Sequence, residues 1–257
     1  MEYIVNLLPD PNLWWVICVC AVLIGFTKTS FAAVGTIVVP IMALAFGAKA
    51  STGLLLPILC LADLGAIIYY RRSCSWSHLV RLLGWAVAGL FVGIAVDHFI
   101  PSSGFRYLLA FSILISVAVL GMNQMKERRS KAGEPTESKP RGWLLGAYGV
   151  LGGFATMIGN AAGPIMSIYL LSVKMPKLYF VGTSAWFFMA INYIKMPLQI
   201  WVWDNIHYDS LLIGLAMVPF IAIGSVVGVY LVKVVPEELY RKMVIWITLF
   251  SALILLL

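Results

Sequence analysis

The sequence predicts an all-α, polytopic membrane protein built from two inverted repeats, and three observations lead to this fold class. Of the 257 residues, 61% are hydrophobic and only 11% are charged, whereas a soluble domain carries about 25% charged residues. The apolar residues form continuous runs of about 20 residues, the length of a transmembrane helix, and lack the alternation of a β-barrel strand. A glycine-rich stretch also occurs twice, which indicates an internal duplication.

The duplication is clearest in residues 23–37, LIGFTKTSFAAVGTI, which recur 128 positions later as LGGFATMIGNAAGPI with six of fifteen positions identical. Further along, Gly89 and Gly93 recur as Gly224 and Gly228, at an offset that has grown to 135. Glycines spaced in this way let membrane helices approach closely. The growing offset predicts about seven extra residues in the second half, between positions 199 and 210.

The apolar segments follow in chain order, four in each half. They are 13–46, 53–70, 79–97 and 105–123, then 143–172, 178–203, 210–233 and 239–257. The polar stretch between the halves is predicted to be a linker, and its excess of Lys and Arg predicts a cytoplasmic position. The chain therefore divides into a first repeat (1–123), a linker (124–141) and a second repeat (142–257).

The first segment of each half is too long for a simple span. The 34 residues of 13–46 would cover roughly 50 Å as a helix, against a hydrocarbon core of about 30 Å. Because both long segments contain the glycine-rich break, each is either one broken, tilted helix or a re-entrant hairpin of two half-helices. The hairpin arrangement agrees better with the positive-inside rule, and its five elements per half orient the two repeats oppositely.

The two breaks form the predicted binding site. An interrupted helix leaves backbone N–H and C=O groups unpaired, which is tolerated inside a membrane only where protein, water or substrate satisfies them. Helices that restart near Ala33 and Ala161 would point their positive N-terminal ends at the midplane, an arrangement suited to a small anion. Gly35, Gly159 and Gly163 would let the backbone approach such a ligand.

Polar side chains in and near the breaks are the candidate anion ligands. They are Lys28, Thr29 and Ser30 in the first break, Asn160 in the second, and Asn192 with Lys195 one turn later on the following helix. Lys28 either supplies positive charge to a substrate or lies at a membrane surface with its amine among the headgroups. Asn160 offers donors and an acceptor, and it is also suited to cap the helix that follows.

Asp63 is the acidic residue that lies deep inside a predicted span, and Asn192 occupies the equivalent position at an offset of 129. The two residues predict a polar centre on the two-fold axis between the repeats. Asp63 either carries a coupling proton or forms a fixed salt bridge with Lys28 or Lys195, and we favour the salt bridge. Sodium is the other coupling ion that we consider.

Enzyme, metal and cofactor motifs are absent from the sequence. HExxH, GxSxG and Walker patterns do not occur, and the four cysteines lack metal-ligand spacing. The net charge of +7 is concentrated in short loops, so we expect no binding to nucleic acid. We therefore expect a protein without catalytic residues, metal or cofactor, whose partners are the lipid bilayer and a small anion.

In its layout the chain resembles the TauE/SafE family of sulfite exporters, also called the sulfonate-uptake permease family. The similar features are two glycine-rich breaks, each followed by a proline and an apolar helix: GFTKTSFAAVGTIVVPIMALAFG and GFATMIGNAAGPIMSIYLL. The Gly182-Thr183-Ser184 opening of the next helix and the stretch from Asn192 to Lys195 are also similar, although a triple glycine in the first break is absent here.

This resemblance implies a secondary transporter that moves a small organosulfur or sulfur oxyanion, such as sulfite, a sulfonate or sulfoacetate, by alternating access. It also implies a bacterial plasma membrane as the location. The alternatives are an integral-membrane enzyme acting on a lipid-phase substrate and an anion channel. Lys28 occurs only in the first copy of the break and Asn160 occurs only in the second. We expect substrate choice to depend on this difference.

Overall fold

A computed structural model describes residues 13–97 and 142–256, and this part of the chain is helical without any strand. The first half contains α1 (Leu13–Thr29), a 3-10 turn (Ala32–Val34), α2 (Gly35–Phe46), α3 (Ala48–Tyr70) and α4 (Trp76–Asp97). The second half contains α5 (Gly142–Gly159), α6 (Gly163–Ser172), α7 (Lys177–Trp201), α8 (Tyr208–Ala216), α9 (Val218–Val234) and α10 (Glu237–Leu256). The all-α class is confirmed for these residues, while the segment 105–123 and the linker 124–141 lie outside them.

Length and composition make this a multi-pass membrane protein. Within the described ranges, two stretches are long and apolar enough to cross a membrane, Ala50–Tyr70 and Trp76–Val96, and α8 with α9 makes a third if the bent pair is one span. Shorter apolar helices flank both glycine-rich breaks. Large apolar side chains also face outwards, with Leu44 89% and Trp201 81% exposed, an arrangement that lipid stabilises and water does not.

Both long segments are interrupted at the glycine-rich stretches. The first break separates Thr29 from Gly35, and the second separates Gly159 from Gly163, so each helix restarts two residues after the expected position. The chain turns in the second break at Asn160, whose φ of 54° lies in the left-handed region. The breaks touch each other, because a Cβ on Gly163 would collide with the carbonyl group of Ala32.

The predicted apolar segment 210–233 contains a break, so it forms two helices, α8 and α9. The bend between α8 and α9 is 50°, and Pro219 lies in the first turn of α9. Proline has no N–H group and its ring would collide with the preceding turn of a continuous helix, so it favours a new helix start. The first residues of α4 and α8 are 132 positions apart, whereas the equivalent glycines Gly89 and Gly224 are 135 positions apart. Part of the extra length therefore lies within α8–α9, beyond the predicted 199–210.

The two halves pack against each other through reciprocal pairs of helices. Helix α1 lies against α9, α5 lies against α4, and α3 lies against α7. A Cβ on Gly25 would meet the carbonyl of Ile221, and a Cβ on Gly153 would meet that of Ala86. These two contacts join equivalent positions, at offsets of 128 and 135. The helix packing therefore repeats along with the sequence.

Candidate functional site

A cavity of about 30 Å³ lies between the two halves, beside both helix breaks. This volume is sufficient for one or two water molecules. Its polar lining consists of Thr27, Lys28, Thr156, Asn160 and Asn192. The remaining lining is formed by aliphatic side chains, glycine and the ring of Phe188, so the cavity has one polar and one apolar part.

Equivalent residues of the two repeats meet at this cavity. Four pairs of lining residues are related by the repeat offset: Lys28 with Thr156, Ala32 with Asn160, Gly35 with Gly163, and Leu59 with Phe188. Asp63 and Asn192, which are also equivalent, form a hydrogen bond with each other. The cavity therefore lies where equivalent residues of the two repeats come together.

Lys28, in the last turn of α1, forms a buried ion pair with Asp63 of α3. The Lys28 Nζ lies 2.7 Å from Asp63 Oδ1, and it is also 4.4 Å from the centre of the Phe188 ring, within range of a cation–π interaction. Lys28 is 8% exposed and Asp63 is fully buried, so both side chains are almost entirely removed from solvent. Charges buried to this extent are stable only when they are paired.

Asp63 also orients the amide of Asn192. Asn192 Nδ2 donates a hydrogen bond to Asp63 Oδ2 at 2.7 Å, so both carboxylate oxygens of Asp63 have partners. The other amide atom, Asn192 Oδ1, is buried and has no hydrogen-bond partner among the residues that the structure describes. A buried acceptor without a partner costs about 1–3 kcal/mol. A donor in the cavity, from water or from a ligand, would remove this cost.

Lys195 of α7 is fully buried and holds the second break in place. Its Nζ donates to the carbonyl oxygen of Thr156 at 2.8 Å, to the hydroxyl of Thr156 at 3.3 Å and to Asn160 Oδ1. These three acceptors match the three donors of an ammonium group. Lys195 therefore lies behind the cavity wall and positions two residues that line it.

The predicted site residues thus fall into three groups. Those lining the cavity are Lys28, Gly35, Asn160, Gly163 and Asn192. Asp63 and Lys195 lie behind this lining and contact it through hydrogen bonds and the ion pair. Thr29, Ser30 and Gly159 are not among the lining residues.

The hydroxyls of Thr29 and Ser30 are used within the helix packing. Thr29 Oγ1 donates to the carbonyls of Gly25 and Ser225, both at 3.0 Å, and Ser30 Oγ donates to the carbonyl of Phe26 at 2.6 Å. Their own carbonyls accept hydrogen bonds from other helices, from Tyr70 at 3.0 Å and from Tyr240 at 2.9 Å. The first break is therefore stabilised mainly by side chains of α3 and α10.

Among the lining residues that were not predicted from the sequence, three carry a hydroxyl or an aromatic ring: Thr27, Thr156 and Phe188. Thr156 occupies the repeat position of Lys28, and Phe188 occupies that of Leu59 and lies four residues before Asn192. The repeat offset and helical spacing were therefore signals that could have identified Thr156 and Phe188. Thr156 gives the second half an uncharged equivalent of Lys28.

Replacing Asn160 tests the strain at the second break. Asn160→Gly and Asn160→Ala both remove the oxygen that accepts from Lys195, but only alanine also resists the left-handed backbone. We expect Asn160→Ala to be less stable than Asn160→Gly by roughly 1 kcal/mol, measured as the thermal midpoint of the purified protein. Equal midpoints would contradict the assigned backbone conformation.

Comparison with known proteins gives one match. The family model described as Sulfite exporter TauE/SafE matches residues 17–255, which include both breaks and every residue of the cavity. No curated protein and no solved structure matches the chain. Because the match extends over nearly the whole sequence, the chain belongs to the TauE/SafE sulfite exporter family.

Proposed function

We propose that this protein is a secondary transporter that moves a small organosulfur or sulfur oxyanion across the plasma membrane by alternating access. The family supports transport of a sulfite-like substrate. The observation that carries the proposal is the buried Lys28 ammonium, which lines a cavity between the two halves of a membrane protein. An ammonium group in this position can donate charge-assisted hydrogen bonds to a small anion, and its burial strengthens them.

The ligands of the anion would be the lining residues of both breaks. Among the residues that the structure describes, Asp63 is the one ionic partner of Lys28 Nζ, which leaves N–H donors for a ligand. Asn160 and the backbone at Gly35 and Gly163 complete the polar wall. In this proposal Thr29, Ser30 and Gly159 shape the breaks without touching the anion, and Lys195 acts through Asn160.

Alternating access would follow from the arrangement of the repeats. The cavity is lined by residues of both halves, and the halves meet through reciprocal helix pairs. In inverted-repeat transporters, one repeat rocks against the other around a fixed site near the midplane. We propose the same movement here, with the two breaks as re-entrant hairpins and the 124–141 linker on the cytoplasmic side of a bacterial inner membrane.

Asp63 is proposed to act as the partner of Lys28 rather than as a carrier of a coupling ion. Its two oxygens are occupied by Lys28 and Asn192. A fixed pair of this kind holds the lysine in position and lowers the cost of burying it. Coupling to a proton or to sodium is therefore not required by the geometry of this site.

The proposal is tested with purified protein in proteoliposomes. We expect saturable uptake of radiolabelled sulfite, and competition by unlabelled alkylsulfonates added outside. Flux far above carrier turnover, with a conductance in planar bilayers, would identify a channel instead. Chemical conversion of a lipid-phase substrate by the detergent-purified protein would identify an enzyme.

A further inference from the structure

The charges buried around the cavity leave one surplus positive charge. Among the described residues, the buried charged side chains are Lys28, Asp63 and Lys195. Lys28 and Asp63 cancel each other through their 2.7 Å ion pair. Lys195 has no acidic partner within this group, because its hydrogen bonds go to Thr156 and Asn160.

The surplus charge arises from a difference between the repeats. Lys195 lies at the repeat position of Ala66, at an offset of 129. Within the described ranges, the first half therefore contributes a neutral pair, and the second half contributes one unbalanced cation. One singly charged anion would make the occupied site neutral, whereas a doubly charged anion would leave a buried negative charge without a partner, which is costly.

The fixed orientation of the Asn192 amide sets a second requirement for the bound anion, a hydrogen-bond donor. Because Asp63 accepts from Asn192 Nδ2, the amide cannot reverse without losing this bond and placing its oxygen against the carboxylate. Asn192 Oδ1 therefore stays an acceptor, buried and without a partner in the described chain, on a residue that lines the cavity. An anion that carries an O–H or N–H group would satisfy it, and an anion with acceptors alone would not.

We propose that the site selects a singly charged anion that also carries a hydrogen-bond donor, and that Asp63 determines both preferences. This inference rests on the proposed function, because it narrows the substrate class of the same site. It excludes dianions such as sulfoacetate and sulfate as good substrates. Asp63 acts as a positioning residue: its charge sets the net charge of the site, and its second oxygen sets the direction of the Asn192 amide.

Three sulfonates with the same two-carbon skeleton separate these requirements. Isethionate has one charge and a hydroxyl donor, ethanesulfonate has one charge and no donor, and 1,2-ethanedisulfonate has two charges. Binding to the purified wild-type protein is measured by isothermal titration calorimetry. We expect isethionate to bind about 3- to 10-fold more tightly than ethanesulfonate. We also expect it to bind more tightly than ethanedisulfonate, by roughly tenfold or more.

Asp63→Asn tests the role of Asp63 in both preferences. This substitution keeps the shape, raises the net charge of the site by one and lets the Asn192 amide reverse. We expect the ratio of ethanedisulfonate to ethanesulfonate affinity to rise by roughly tenfold, and the preference for isethionate over ethanesulfonate to disappear. An unchanged ratio and preference in a folded variant would overturn the role of Asp63.

If the Asp63→Asn variant fails to fold, binding of the three sulfonates to the wild-type protein still tests the proposed selectivity. Equal affinity for the three sulfonates would overturn the selectivity and leave the transporter proposal standing. Binding of none of them, together with no competition against sulfite uptake, would overturn the proposed function as well. Tighter binding of ethanedisulfonate than of isethionate would overturn the charge argument directly.

Discussion

Lys28→Met is expected to abolish anion transport, with a loss of at least about a hundredfold, because it removes the cation that lines the cavity. Removing one partner of a buried ion pair costs about 3–5 kcal/mol, and Asp63 would be left fully buried without its 2.7 Å partner. The single variant is therefore expected to be both inactive and less stable. Transport is measured in proteoliposomes, and stability as the thermal midpoint in detergent.

The double variant Lys28→Met with Asp63→Asn separates binding from folding. It removes both charges of the pair, so it should recover most of the stability that the single variant loses. We expect transport to stay lost, because the donors of Lys195 are already used by Thr156 and Asn160. A double variant with wild-type transport would show that Lys28 has only a structural role.

Gly25→Ala and Gly153→Ala are expected to destabilise the protein by about 1–3 kcal/mol or more. The added Cβ would overlap the carbonyl of Ile221 at one helix crossing and that of Ala86 at the equivalent crossing. Because a backbone carbonyl cannot rotate away as a side chain does, the helices must separate. The two substitutions should lower the thermal midpoint by similar amounts, since the crossings join equivalent positions of the repeats.

Gly84→Ala is the matched control for the two crossings. Gly84 also lies in an apolar helix, but its Cβ would have no atom of the described residues within 4 Å. Alanine is a better helix former than glycine by up to about 1 kcal/mol, so this variant should be as stable as the wild type or slightly more stable. A Gly25→Ala variant that behaves like Gly84→Ala would contradict the close packing of α1 and α9.

Much of the site could be predicted because the duplication marked it. The repeat located both breaks, paired Asp63 with Asn192, and selected Lys28, Asn160 and Asn192, all of which lie at or next to the cavity. Glycine-rich breaks are recognisable because few other sequences interrupt an apolar helix. The same offset, applied to Lys28 and Leu59, would also have selected Thr156 and Phe188.

Other features depended on three-dimensional distances or on local geometry. Sequence alone could not choose between Lys28 and Lys195 as the partner of Asp63, because the choice depends on how α1, α3 and α7 pack. Thr29 and Ser30 were predicted as ligands because they follow Lys28 in the first break. Hydroxyls in the last turn of a helix commonly bond to carbonyls of the preceding turn, and both do so here. The bend between α8 and α9 could have been predicted from Pro219, but the apolar run continues across it and suggested a single helix.

The position of a bound anion shows whether Lys28 and the cavity form the anion site. Crystals of the protein grown with 2-bromoethanesulfonate, a singly charged anion, are measured at the bromine absorption edge. We expect an anomalous peak in the cavity between the halves, with the sulfonate within hydrogen-bond distance of Lys28 Nζ. The peak should be absent in the double variant Lys28→Met with Asp63→Asn. A wild-type peak only outside the cavity, or a peak in the cavity that persists in the double variant, would show that Lys28 does not bind the anion there.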